Sequence, residues 1–514
     1  MDVRSELLNF LPLDAFRQFL IKLQTERSCC FLSRWLFLRF LGITYLIAFV
    51  SLWTQIDGLI GRNGILPARD YLTAIGEQFG PERFWWLPTF CWISPGDGFL
   101  HFQCAAGVLL SLLLIAGVAP VLDLILLWAI YLSLSTVCRE FLGFQWDILL
   151  LETGFLAIFF APRQWLPRFS QETPPPLTVL WLIRWLLFRL MFMSGSVKLL
   201  SGDPTWRNFT ALTVHYETQP LPTWIGWYAH QLPAWFQKMS CGIMFVIELG
   251  VPFLIFFGRR ARRAACAAFV LLMLLISITG NYCFFNLLTA ALCVPLLDDE
   301  FLSRFLPKRM FPSPPTVPAP ARFQPLRTAG VGVLAAIVLL VSGTETAASL
   351  LRARSLPPLL AGLRRWISPF RTINSYGLFA MMTTTRPEIV IEGSNDGVNW
   401  LTYEFKWKPG DLRRRPAFVA PHQPRLDWQM WFAALGDYRS NPWFANFLAG
   451  LLRGSPNVLA LLENNPFPDG PPRYIRAVLY EYHFTDFDTR RATGEWWRRE
   501  RKGLYCPEIT LRQN

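Results

Sequence analysis

Charge is scarce in this chain. Only 17% of its 514 residues are Asp, Glu, Lys or Arg, against about a quarter in an ordinary soluble domain. That excludes a surface facing water on all sides. Histidine is scarcer still, with five residues in all. The ten cysteines include no Cys-x-x-Cys pair and no Cys/His spacing that suits zinc, so no metal site is expected. No P-loop, Gly-x-Ser-x-Gly, His-Glu-x-x-His or dinucleotide fingerprint stands in a credible context, and no cofactor is expected either. A cleavable signal is also missing. Residues 1–34 scatter Arg4, Arg17, Lys22, Arg27 and Arg34 among apolar residues, without a compact apolar core and small-residue cleavage site. The first apolar run, 35–53, is expected to act as an uncleaved anchor.

What the chain has is hydrophobic sequence, 53% of its residues, much of it in long runs. Apolar stretches recur at about 35–54, 99–117, 119–138, 145–161, 177–199, 240–257, 264–280, 284–297 and 329–346. About twenty such residues cross a bilayer, which predicts nine spans, the eighth of them short. The net charge of +13 does not read as nucleic-acid binding, because the arginines cluster between apolar runs. With a cytoplasmic N-terminus, the cytoplasmic segments hold sixteen Lys and Arg and the opposite ones six. That asymmetry is the positive-inside pattern. An odd number of spans then puts everything after Ala347 outside, in a periplasm or the ER lumen.

Four regions follow: a cytoplasmic amphipathic N-terminus (1–34), a helical membrane domain (35–346), an interfacial connector (347–385) and an exoplasmic domain (386–514). Residues 310–326, with six prolines, read as an extended linker. Residues 348–371 interleave Arg352, Arg354, Arg364, Arg365 and Arg371 with Leu and Trp, as an interfacial helix does. Beyond Pro387, Glu388-Ile-Val-Ile-Glu392, the turn Gly393-Ser-Asn-Asp-Gly397 and the alternation after Trp400 predict a β-hairpin. Helical patterns follow near 426–435, 442–452 and 457–464, then a strand at 474–484. The fold class is therefore a polytopic α-helical membrane protein with a β-rich, sandwich-like exoplasmic domain carrying inserted helices.

Chemistry is sought where charge enters the apolar runs. An ion at mid-span costs roughly 2.5–3.5 kcal/mol on insertion scales, so each one needs a partner, water or a role. Asp147 and Glu152 stand five residues apart, about 140° around a helix. They suit pairing with neighbouring cations such as Arg184 and Arg189 better than acting as a dyad. They either knit the bundle together or line a polar cavity. Lys198 is a snorkelling anchor or an amine with altered basicity. His215 and Glu217 form the one close His–carboxylate pair of the membrane half, and would share a side in an extended loop. Glu248, Asn281 and Asn286 complete the embedded polar set as interhelical hydrogen-bonding groups. In the exoplasmic domain, Trp428, Trp431 and Trp443 are candidates for an aromatic client surface. Cys91 and Cys506 both lie in polar regions where pairing is conceivable, and Cys29-Cys30 is an acylation candidate.

Several strings resemble the lipase maturation factor family: Ser194-Gly-Ser-Val-Lys-Leu-Leu-Ser-Gly-Asp-Pro-Thr-Trp206, Tyr216-Glu-Thr-Gln-Pro-Leu-Pro222, Gly280-Asn-Tyr-Cys-Phe-Phe-Asn-Leu-Leu-Thr289, Asn374-Ser-Tyr-Gly-Leu-Phe379, Pro421-His-Gln-Pro-Arg-Leu-Asp-Trp428 and Gly503-Leu-Tyr-Cys506. The resemblance implies a multi-pass protein that helps secreted lipases mature. Its client would meet the exoplasmic domain and its other partner would be membrane lipid. The ER membrane is the site in eukaryotic relatives; the compact length suits a bacterial member in a plasma membrane. The resemblance brings no catalytic residues. A fainter similarity joins Gly58-Leu-Ile-Gly-Arg-Asn-Gly-Ile-Leu-Pro67 and Gly195-Ser-Val-Lys-Leu-Leu200 to vitamin K-dependent carboxylases, where a lysine at the position of Lys198 acts chemically. Gln145-Trp146 stands where that family's functional histidine is expected. The alternative function is therefore an embedded enzyme acting on a lipid, quinone or peptide, with Lys198 and His215 at its site. A transporter built on Asp147, Glu152, Arg184 and Arg189 ranks last, for want of an inverted repeat.

Overall fold

A computed structural model describes residues 30–167, 172–305, 324–353 and 357–511, the side chains of 324–327 excepted. The expectations for residues 1–29, for Cys29, for Arg354 and for the linker up to residue 323 lie outside the described residues.

Hydrophobic runs without internal breakers become helices: α1 (Phe31–Trp53), α2 (Asp97–Ala116), α3 (Pro120–Cys138), α4 (Gln145–Phe160), α5 (Leu177–Leu200), α6 (Ala234–Phe245), α7 (Arg259–Thr279), α8 (Phe285–Cys293) and α9 (Gln324–Leu350). Among the described residues seven helices are long and apolar enough to cross a membrane. The remaining two of the nine expected spans, α4 with 16 residues and α8, are shorter. They carry Asp147, Glu152 and Asn286 of the embedded polar set, all three buried. Helix ends follow local chemistry. Gly117 closes α2 in the left-handed region at φ +87°, and Pro120 opens α3 where no intrahelical donor is lost. The first turn of α1 is capped from afar: the Asp299 carboxylate accepts the N–H groups of Phe31, Leu32 and Ser33 at 2.8, 2.9 and 3.3 Å. Beyond Phe245, α6 loosens into a π-helical turn (Val246–Gly250) and then a 3₁₀ stretch containing Pro252.

The connector is an exposed amphipathic helix, Pro358–Ile367, in which Leu359 and Trp366 face outward. Trp366 stacks on Trp85 at 4.6 Å, and Arg364 reaches Glu345 at 2.5 Å. The C-terminal domain follows. Its sheet has four antiparallel strands in the order β2-β1-β3-β4: β1 (Pro387–Ser394), β2 (Leu401–Tyr403), β3 (Tyr474–Phe484) and β4 (Trp497–Ile509). The expected hairpin is β1–β2, its turn held by Asp396 accepting the N–H groups of Val398 and Asn399 at 2.8 Å each. One feature differs from the sandwich expected. The described residues form one sheet, and helices Arg425–Ala434 and Pro442–Leu452 supply the apolar cover that a second sheet would give.

The two halves share one continuous apolar core, running from α1 and α4 into residues of β1, β3 and the covering helices. Gly58 marks one close approach between them. A Cβ there would collide with the Asn457 carbonyl and the Leu461 side chain, so only glycine permits this approach. The Gly58–Pro67 string thus serves packing between the halves.

Candidate functional site

α4 presents its two carboxylates to different partners, as the 140° separation requires. Asp147 receives a bidentate contact from Arg425 of the C-terminal domain, Nη1 to Oδ2 at 2.6 Å and Nη2 to Oδ1 at 2.9 Å. The Tyr131 hydroxyl adds a third bond at 2.6 Å. Both charged side chains are 0% exposed. Burial alone works against the Arg425 guanidinium, but Asp147 outweighs it and raises its pKa above the ordinary value. Glu152 is a second hub. It accepts from Arg189, from the Asn374 backbone and side chain (2.9 and 3.0 Å) and from the Tyr376 hydroxyl at 2.7 Å. Arg189 also donates to the Asn374 carbonyl at 2.9 Å. Arg184 turns away from both carboxylates, donating to the Pro295 carbonyl at 3.1 Å and lying over the Trp181 ring. Of the four groups expected to pair, Glu152 and Arg189 meet each other; Asp147 meets Arg425 instead of Arg184. The space beside Arg189, Glu345 and Tyr376 is about 10 Å³, one water at most. Beside Arg189 the polar interior is packed.

Lys198 is held by both oxygens of Glu248, at 2.9 and 2.7 Å, and by the Ser194 carbonyl at 3.1 Å. Its ammonium faces the Trp206 ring, so it is enclosed and does not snorkel outward. Asn281 is fully used. Its amide donates to Leu221 and Ala417 carbonyls, and its oxygen accepts from Val419 and Ala420. Asn286 is buried, and its Oδ1 has no partner among the described residues.

His215 and Glu217 do not share a side. They fall on a short helix, Leu212–Thr218, where a two-residue spacing is about 200°. The His215 Nε2 meets the Tyr282 hydroxyl at 3.1 Å, and that hydroxyl donates to Gln219 at 3.0 Å. Glu217 points to the C-terminal sheet, accepts the Phe484 N–H at 2.9 Å, and lies 3.8 Å from His230 and 3.6 Å from His483. No cluster of three potential metal ligands exists among the described residues. Burial first, and then the charge of Lys198, push the His215 pKa down to about 4. The neutral ring is therefore favoured in the fold, while the unfolded chain takes up a proton below about 6.5. Stability is present above that value and is lost as pH falls from 6.5 toward 4. At pH 5 the loss is on the order of 2 kcal/mol. The drop in thermal midpoint between pH 7 and pH 5 should shrink in His215→Gln; an unchanged drop would remove His215 from this role.

The three candidate client tryptophans are buried. Trp428 sits edge-on to Trp146 and Phe144, Trp431 donates to the Thr218 carbonyl at 2.9 Å, and Trp443 packs on Phe141. They clamp the domain to the membrane half and are not offered to a client in this arrangement. Cys91 and Cys506 are both buried and unpaired. Sequence reasoning missed Arg425, Asn374 and Tyr376, and the buried chain Arg386–Glu388–Lys408, with both links at 2.7 Å. A signal existed for the first three: each lies inside a string that carries the family resemblance.

The comparisons bear on what this assembly is. The lipase maturation factor transmembrane domain matches residues 32–304, and the lipase maturation factor C-terminal domain matches residues 372–507. Lipase maturation factor 2 of Gallus gallus is 39% identical, covering 93% of this chain and 81% of the relative. The Homo sapiens protein of that name is 38% identical, covering 93% and 83%. Lipase maturation factor 1 of Bos taurus is 35% identical, covering 93% and 89%. No solved structure matches. These relatives are vertebrate proteins, and the expectation of a bacterial member is not borne out. Its apolar helices make the chain an integral membrane protein, and the matches across both halves place it in the lipase maturation factor family.

Proposed function

We propose that this chain is a membrane-anchored maturation factor for exported lipases. It sits in the ER membrane, with residues from about 347 onward in the lumen. The observation that supports this reading best is how the embedded charges are used. Asp147, Glu152, Arg189 and Lys198 are all consumed by partners at contact distance, which is the mark of a scaffold. The names of the relatives supply the client class. The Lys and Arg distribution supports the orientation.

The enzymatic reading keeps one observation in its favour: Lys198 pairs with a carboxylate carried on a π-helical turn, a feature often found at functional positions. One experiment separates the two. The chain is expressed with a lipase in cells lacking their own maturation factor, and secreted lipase activity is measured per unit of lipase mass. The wild type should raise that ratio. Lys198→Met alone strands Glu248 and should lower the protein yield, at a cost of about 3–5 kcal/mol. Lys198→Met with Glu248→Met removes both charges and should restore the yield and keep lipase activity. Loss of activity in the well-folded double variant would transfer the function to Lys198.

A further inference from the structure

The aromatic surface open to a client lies elsewhere than Trp428, Trp431 and Trp443. Where the loop after the His215 helix reaches the C-terminal domain, a shallow groove opens to solvent, with a cavity volume of only about 30 Å³. Pro222 comes from the loop. Trp407 and four cations (Lys406, Lys408, Arg414 and Arg415) come from the segment after β2.

The four cations divide into two kinds. Lys408 is buried and bound to Glu388 at 2.7 Å, and Arg414 donates to the Phe405 and Lys408 carbonyls at 2.6 Å each. These two fix the shape of the groove. Lys406 and Arg415 are exposed, and neither forms a salt bridge among the described residues. Lys406 donates only to the Ala460 carbonyl, and Arg415 rests over the Trp224 ring, 5.8 Å from its centre. Between them stand the half-open Trp407 ring, 37% exposed, and proline side chains. Rigid apolar walls of this kind favour an extended backbone, and uncompensated cations attract carboxylates.

We infer that an extended, acidic segment of a polypeptide lies across this shallow groove, its carboxylates on the exposed Lys406 and Arg415 and its apolar or aromatic side chains against Trp407. The inference rests on the maturation reading and gives the client's recognised chemistry. Exposed ion pairs contribute little each, so binding is weak, salt-sensitive and reversible, as a factor that must release its client requires.

The test uses the full chain in phosphatidylcholine nanodiscs and fluorescence anisotropy with labelled twelve-residue peptides. One peptide alternates Asp or Glu with Leu and Tyr, and its twin carries Asn and Gln instead. The acidic peptide should bind and the amide twin should not. The double variant Lys406→Glu/Arg415→Glu should weaken binding at least tenfold with an unchanged thermal midpoint. Trp407→Ala, which leaves the charges in place, should weaken it too. Equal binding of both peptides, equal binding by the charge-reversed protein, or binding of inorganic phosphate without the peptide would overturn the inference. So would undiminished lipase maturation by the charge-reversed variant, and that result would leave the maturation function standing. Conversely, peptide binding by a wild-type chain that matures no lipase would support the groove and refute the function.

Discussion

Replacing Arg425 with alanine is expected to destabilise the protein by about 3–5 kcal/mol, enough to lower its yield and thermal midpoint sharply. The size follows from what remains. Asp147 is 0% exposed, and without Arg425 it keeps, among the described residues, only the Tyr131 hydroxyl. A buried carboxylate with a single donor is far costlier than the original pair was favourable. Arg425→Met combined with Asp147→Asn should recover much of the loss, because the charge and its counter-charge leave together. Thermal unfolding in nanodiscs of wild type, Arg425→Met, Asp147→Asn and their double variant gives the coupling energy directly. If Arg425→Ala melts within a degree of wild type, this pair does not hold the halves together.

A chain ended before residue 372 is expected to fail as a membrane protein, beyond merely losing its exoplasmic domain. Asp147 would lose Arg425, Glu152 would lose Asn374 and Tyr376, and Asn281 would lose the Ala417, Val419 and Ala420 backbone. Each stranded group costs roughly 1–3 kcal/mol, more for the charged ones, and the total is comparable to the stability of a typical domain. Folded yield should fall by at least tenfold. Co-expression of the missing segment as a separate chain should restore part of it, since the contacts do not depend on the covalent link. A truncated protein of normal yield and midpoint would show the membrane half to be autonomous. Lost client binding in such a truncation therefore cannot be assigned to a lost surface without this control.

The spans were legible because a bilayer imposes length and composition on any crossing segment, and the β1–β2 hairpin because its turn residues are local. β4 was not legible. Its Arg498-Arg-Glu-Arg-Lys502 segment has no apolar alternation, as suits a strand at the open edge of a sheet, where charge discourages unwanted pairing. The candidate site was half legible. That Asp147 and Glu152 need partners follows from their apolar surroundings alone. That one partner is Arg425, 278 residues away, depends on the docking of two domains and leaves no periodic trace. The tryptophans misled for a related reason: an aromatic cluster reads the same in sequence whether it awaits a client or covers the protein's own membrane half.

The long-range cap on α1 and the Arg425 bond to Asp147 also set an order in time. The ribosome makes the first span 268 residues before it makes the carboxylate that closes its first turn. Asp147, made within that interval, itself waits 278 residues for its guanidinium. At roughly 5–20 residues per second that second interval lasts about 14–56 s. During it, the nascent chain carries a carboxyl group whose guanidinium partner has not yet been made. A protein that matures others is thus itself incomplete until Arg425 has emerged, and a translation product interrupted before that point carries its own mark of incompleteness.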